Sequence, residues 1–186
     1  MLSKRKQDEE NIMKRKLIIL TDLWGNTNSN WIKVYVENLQ DKFELKLYSC
    51  CEIAEIQPFK KTKKEIHNEF ILSGIEIAIE NLLRLEKDEV DVLGFSVGGY
   101  IAWRSGIKGL KIRNLKAISS TRLRNEIIKP NCKLKLYFGE NDQHKPTKEW
   151  FENLKVDFTL IKNADHNVYE NVDFTKNICK NINQNW

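Results

Sequence analysis

The sequence predicts an α/β fold: a three-layer α/β/α sandwich around a parallel sheet of about six strands. Three observations carry that prediction. Short apolar runs recur along the 186 residues, most followed by a segment whose apolar residues fall at helical spacing. That is the pattern of strands buried on both faces under crossover helices. Second, "VDVLGFSVGGY" (90–100) places three glycines around one serine between a strand-like and a helix-like segment. A tight strand-to-helix turn needs small residues wherever backbone meets backbone. Third, 41% hydrophobic and 31% charged residues are the proportions of a soluble globular protein. No apolar run approaches the roughly 18–20 residues of a membrane span.

In chain order, "KLIILTD" (16–22) reads as the first strand and "SNWIKVYVENLQDKF" (29–43) as an amphipathic helix capped by Ser29 or Asn30. "FELKLYSC" (43–50) is the second strand. A polar stretch with Pro58 and four lysines leads into a long helix over about 65–87. "VDVLGF" (90–95) is the third strand and "VGGYIAWRSGI" (97–107) the helix after the serine. "LKAISS" (115–120) and "KLKLYFG" (133–139) are the fourth and fifth strands. "PTKEWFENL" (146–154) is a helix opened by Pro146. "VDFTLIKN" (156–163) is the last strand, and "VYENVDFTKNICKNI" (168–182) the closing helix.

Residues 1–15 form a charged, disordered tail on this reading, and 16–186 a single domain. The tail has no apolar centre, so it is not a signal peptide, and the default location is cytoplasmic. The net charge of +5 is mixed in sign along the body, which argues against a phosphate-tracking surface and against a nucleic-acid partner. No membrane association is expected, and the oligomeric state stays open. Cys50, Cys51, Cys132 and Cys179 show neither a CxxC pair nor histidines at zinc-ligand spacing. They are read as free thiols, with no metal and no cofactor expected.

In a parallel sheet, ligands bind beyond the carboxyl ends of the strands. Ser96 follows the third strand, Asp142 the fifth and His166 the sixth. Gly94-Phe95-Ser96-Val97-Gly98 matches a G-x-S-x-G elbow in the strand–turn–helix context that motif requires. With "YFGENDQHKP" and "KNADHNVYE" supplying aspartate and histidine in the order Ser, Asp, His, the body resembles the α/β-hydrolases from about residue 16 onward. The resemblance implies a strand order of 2-1-3-4-5-6 and a catalytic triad. Ser96 would be the nucleophile, His166 the base, and Asp142 the group that orients the imidazole. Val97 N–H would be the first oxyanion donor. The second would come from "TDLWG" (21–25), which lacks the family's His-Gly; Leu23 N–H is the first candidate and Trp24 N–H the second. Asp22 beside a forming oxyanion opposes it unless its side chain turns away to cap the following turn.

The competing reading of Ser96 is a structural turn serine. Asp165 and Glu140 rival Asp142, but Asp165 is next to the histidine in sequence and Glu140 too near the strand end. His67 and His144 are read as surface residues, and Cys50 and Cys51 as core or loop filling. Trp24, Phe95 and Arg122 are assigned to the pocket, while Trp103 is read as packed. Arg122 and Arg124 could bind a substrate carboxylate or phosphate, though surface ion pairing is the favoured reading. Only about a dozen residues join the fourth and fifth strands, so no cap domain and a shallow, open site are expected. Residues 50–64 are the candidate partial lid. The functional expectation is a serine esterase or thioesterase acting on a small-molecule acyl substrate. Its alternative is a catalytically inactive binding or scaffold protein on the same fold.

Overall fold

The computed structural model describes residues 14–25, 29–59 and 61–186. The tail assigned to 1–15 lies almost wholly outside them; of its residues, Lys14 hydrogen-bonds Gln40 O and Arg15 already belongs to the first strand. Six strands build one sheet: β1 (Arg15–Leu20), β2 (Phe43–Tyr48), β3 (Val90–Phe95), β4 (Ile112–Ile118), β5 (Lys133–Gly139) and β6 (Asp157–Ile161). Their order is β2-β1-β3-β4-β5-β6, with every neighbouring pair parallel. All carboxyl ends therefore face the same edge. The order reverses between β1 and β3, so the crevice over the turn after β3 is where such a sheet receives a ligand.

The helices are α1 (Asn30–Leu39), α2 (Cys50–Ile53), α3 (Lys63–Glu69), α4 (Ile75–Leu85), α5 (Val97–Ile107), α6 (Lys148–Leu154) and α7 (Val172–Asn185). Strand alternation divides the core in two. Leu17, Ile19, Leu93, Phe95 and Ile118 pack with Ile32, Tyr35 and Leu39 of α1 and Ile178 and Ile182 of α7. Ile18, Leu20, Val92, Leu115, Ala117, Leu136 and Phe138 turn the other way, toward side chains of α2 through α6. β3, central and buried along its whole length, is the axis of both layers.

Several boundaries differ from the sequence reading. β4 begins three residues earlier, at Ile112. Its Asn114 amide donates to the buried Asp91 carboxylate at 2.6 Å, so a polar residue occupies a core strand. The long helix is broken: a capping box at Thr62 starts α3, and a π-helical turn, Phe70–Gly74, joins it to α4. α2 is an unforeseen single turn capped by Ser49. α6 starts at Lys148, capped by Thr147, rather than opening at Pro146. The closing helix starts only at Val172, after a 3₁₀ turn over His166–Glu170. No helix of the described residues is long and apolar enough to cross a membrane.

Candidate active site

The turn between β3 and α5 holds Ser96 at φ 50°, a backbone region that disfavours side chains. The turn is this tight because α5 lies almost on the sheet. A Cβ on Gly98 would sit 2.3 Å from Thr21 O, and one on Gly94 would sit 2.7 Å from Gly99 Cα. Glycine at both positions lets backbone approach backbone. Ser96 is thereby presented at the carboxyl edge with 6% of its surface exposed.

The loops after β5 and β6 meet it. Ser96 Oγ lies 3.2 Å from His166 Nε2, and His166 Nδ1 lies 3.0 Å from Asp142 Oδ2. With Nδ1–H donating to the carboxylate, Nε2 is left as the acceptor for the serine hydroxyl proton. The other carboxylate oxygen, Asp142 Oδ1, accepts the His144 backbone N–H at 2.8 Å. Burial works against the Asp142 charge, but these two hydrogen bonds outweigh it and hold the carboxyl below its ordinary 3.8. Both rival acids are engaged elsewhere. Glu140 accepts the Asn163 N–H, and Asp165 accepts the Asn167 N–H and so caps the turn that carries His166.

Asp22 turns into its own loop. Its Oδ1 accepts the Trp24 N–H at 3.1 Å, and the Tyr169 hydroxyl donates to Oδ2 at 3.4 Å. Trp24 N–H is therefore spent, and Gly25 N–H donates to Asp22 O. No hydrogen bond among the described residues uses the Leu23 N–H. Val97, the first residue of α5, has no carbonyl four residues back within the helix to receive its N–H. These are the two N–H groups that the sequence reading assigns to an oxyanion hole. Burial raises the Asp22 pKa above 3.8, with Glu170 adding to the rise.

A cavity of about 490 Å³ opens over Ser96. Trp24 and Arg122 line it, as does Arg124. Phe95 does not: next to Ser96 in sequence, it points to the opposite face, where its ring lies 4.8 Å from Tyr35 and 4.9 Å from Trp31. His67 and His144, read as surface residues, both line the cavity, and the His144 ring makes an edge contact with His166 at 5.1 Å. Burial, then the nearby His166, push the His144 pKa below its ordinary 6.5. Arg122 and Arg124 form no ion pair among the described residues, contrary to the pairing expected of them.

The wall facing Ser96 and His166 is also not the one foreseen. Among the described residues of 50–64 only Lys63 lines the cavity; Ile53, Ala54 and Ile56 are buried in the core beneath α4. His67, Phe70, Ile71 and Ile75, from α3, the π turn and the start of α4, supply the wall. The cavity is accordingly more enclosed than the shallow site expected. The β4–β5 connection contains a 3₁₀ turn, Leu123–Asn125, and no cap, as its length implied. A larger groove, about 840 Å³, runs beside β6 and α7, but it reaches neither Ser96 nor His166.

A serine, an imidazole and a carboxylate in line, at the switch point of a sheet ordered β2-β1-β3-β4-β5-β6, identify the architecture. The fold is that of the α/β-hydrolases. A protein of Xanthomonas campestris pv. campestris, assigned to that superfamily, superposes with a TM-score of 0.68 at 13% identity, over 93% of this chain and 100% of its own. Est1E from Butyrivibrio proteoclasticus, solved with ferulic acid bound, gives 0.65 at 10% identity, over 95% and 90%. The esterase domain of a Rhodothermus marinus protein gives 0.60 at 9%, over 94% and 88%. No family model matches the sequence, and no curated protein matches it either. Within the α/β-hydrolase fold, the described residues form no cap domain, and the site is walled by the α3–α4 segment.

Proposed function

We propose that the chain is a serine hydrolase of the esterase or thioesterase kind, cleaving a small or exposed acyl ester through an acyl-enzyme on Ser96. The observation that carries this reading is the continuous hydrogen-bonded line from Ser96 through His166 to Asp142, opening onto a cavity. Structural relatives described as hydrolases and as an esterase domain favour the same class.

In this mechanism Ser96 Oγ attacks the substrate carbonyl carbon as its proton passes to His166 Nε2. The Asp142 carboxylate stabilises the imidazolium that forms and keeps its tautomer. The oxyanion is received by Val97 N–H and Leu23 N–H; losing one such donor costs roughly 2.7–4 kcal/mol in comparable enzymes. His166 then returns the proton to the departing alcohol or thiol as its bond to the acyl carbon breaks. Water attacks the acyl-enzyme, giving a proton to His166, and that proton goes back to Ser96 Oγ as the acid leaves. Each step uses side chains already in line, and none calls for a cofactor. The reading keeps the protein in the cytoplasm, where its four free cysteines stay reduced.

The test is labelling by a fluorophosphonate probe, with short-chain nitrophenyl esters as substrates, comparing the native protein with Ser96→Ala. Labelling and turnover that vanish in the variant support the reading. A folded native protein that neither labels nor turns over any ester would sink it in favour of a binding or scaffold protein.

A further inference from the structure

The walls of the cavity differ in charge. Arg122, Arg124, His144, His67 and Lys63 line it, against Asp22 and Glu170. Asp22 has a buried carboxyl tied to Trp24 N–H and Tyr169 OH, and Glu170 lies near enough to raise its pKa. The acids therefore share one side. Arg124 donates to His144 O at 3.2 Å, which sets the second arginine along the histidine side.

Arg122 is the unusual residue. Its φ is 68°, a left-handed conformation that an ordinary side chain adopts at a cost. Its guanidinium lies over the Tyr100 ring, 5.9 Å from the centroid, and its Nε is buried with no hydrogen-bond partner. Glu126, the nearest acid in sequence, is already engaged: it accepts the Tyr100 hydroxyl at 2.8 Å and pairs with Arg104 at 3.2 Å. Backbone strain and an unmet donor thus coincide at one cation on the cavity wall, where the Tyr100 face holds the guanidinium but no carboxylate of the described residues meets it. An arginine fork held by an aromatic face, with its donors unspent, is suited to a planar carboxylate, which it can bind through two parallel hydrogen bonds.

We propose that the cavity selects an ester carrying a free carboxylate, bound by Arg122 with Arg124 beside it, while the scissile carbonyl lies at Ser96. The assignment of this anion as a substrate group rests on the hydrolase reading. The acidic side repels the same group and so fixes which way the substrate lies.

Two esters of equal chain length, monomethyl adipate and methyl hexanoate, isolate the carboxylate. The native protein is expected to hydrolyse the first with a kcat/KM at least about tenfold above the second, the difference a charge-assisted hydrogen bond supplies. In Arg122→Gly, which accepts the left-handed backbone, that ratio falls toward one; in Arg122→Lys, which keeps charge without the fork, it falls part way. Binding of both esters to Ser96→Ala, read by calorimetry with and without Arg122→Gly, judges the anion site without any chemistry. A native ratio near one, or a ratio and an affinity indifferent to Arg122→Gly, overturns the proposal. Fluorophosphonate labelling of Ser96 reports separately on the hydrolase reading. If labelling fails while Ser96→Ala still binds monomethyl adipate through Arg122, the anion site stands and its role in catalysis falls.

Discussion

The two ends of the sheet treat buried charge in opposite ways. Where the chain enters β3, every buried acid meets cations. Glu86 accepts from Lys16 at 2.7 Å and Lys46 at 3.0 Å and from the Tyr48 hydroxyl. Asp91 takes the Asn114 amide at 2.6 Å and lies 3.7 Å from Arg15 and 3.9 Å from Arg113. At the carboxyl edge no acid lining the cavity is paired with a lysine or arginine among the described residues. Asp142 meets an imidazole, Asp22 meets an N–H and a phenol, and Arg122 and Arg124 keep their charge free. One end uses ion pairs with lysine and arginine to close the fold. The other holds its acids by hydrogen bonds instead and leaves two arginines without a carboxylate partner among the described residues, which is what a reaction can use.

The largest expected effect tests that division at the triad. Asp142→Asn should lower kcat/KM on a nitrophenyl ester by about 10⁴-fold, because the amide holds the wrong imidazole tautomer. It should also change the response to acid. The carboxyl pKa is below 3.8 in the folded protein, so its stabilising contribution is present above that value and disappears as pH falls through the folded value. Urea unfolding followed from pH 6 to pH 3 should therefore be less steep in the variant. An equal slope in both proteins would show that the His166 hydrogen bond contributes nothing to stability.

Gly98→Ala comes next. The new methyl would meet Thr21 O at 2.3 Å and Leu20 O at 2.6 Å, both backbone atoms that cannot swing aside. α5 must lift from β1, at a cost of about 2–3 kcal/mol, and it carries Ser96 away from His166. Stability and fluorophosphonate labelling should fall together. Glu86→Ala is its counterpart at the other end. It strands Lys16 and Lys46 without their acceptor, and because both lysines are partly exposed the loss should be about 2 kcal/mol. Burial opposes the Glu86 charge, but hydrogen bonds from Lys16, Tyr48 and Lys46 hold its carboxyl below 4.5, so the wild-type advantage should vanish in acid. Its rate on a nitrophenyl ester should stay within about twofold of the native rate, since Glu86 lies at the end of the sheet opposite Ser96. A large loss of activity here would break the contrast.

The same contrast explains what could be read from sequence. The six strands, the elbow and the three loops that carry Ser96, Asp142 and His166 are local patterns, each written in a few consecutive residues. The apolar run that marks β4 starts at Leu115 and leaves out Arg113 and Asn114; their place in the strand depends on Asp91, 23 residues from Asn114. Phe95 beside Ser96 reads as a pocket residue, yet strand alternation, Leu93 and Phe95 against Val92 and Gly94, sends it to the α1 face. The wall formed by His67, Phe70, Ile71 and Ile75 had no such signal. Which side a helix turns toward a site is set by its packing on α5 and α2, and no periodicity within the helix records that.

The smallest expected effect is also the most discriminating, because it asks whether an unneutralised acid at the site end costs stability. Asp22 is buried and its pKa is raised, so the folded protein holds that proton more tightly than the unfolded chain. The sign is then opposite to that at Asp142: the ionised carboxylate lowers stability at neutral pH, and the loss disappears as pH falls below 3.8, where both states are protonated. Asp22→Asn keeps an oxygen for the Trp24 N–H and can donate to the Tyr169 hydroxyl. It should raise stability by up to about 1 kcal/mol at pH 7 and by nothing at pH 3.5. If the carboxylate also opposes the oxyanion from its place beside Leu23 N–H, kcat should rise a few-fold, with the gain confined to the pH range where wild-type Asp22 is ionised. A variant less stable than wild type at pH 7 would mean that Asp22 is held there for its charge, and that the site end is compensated after all.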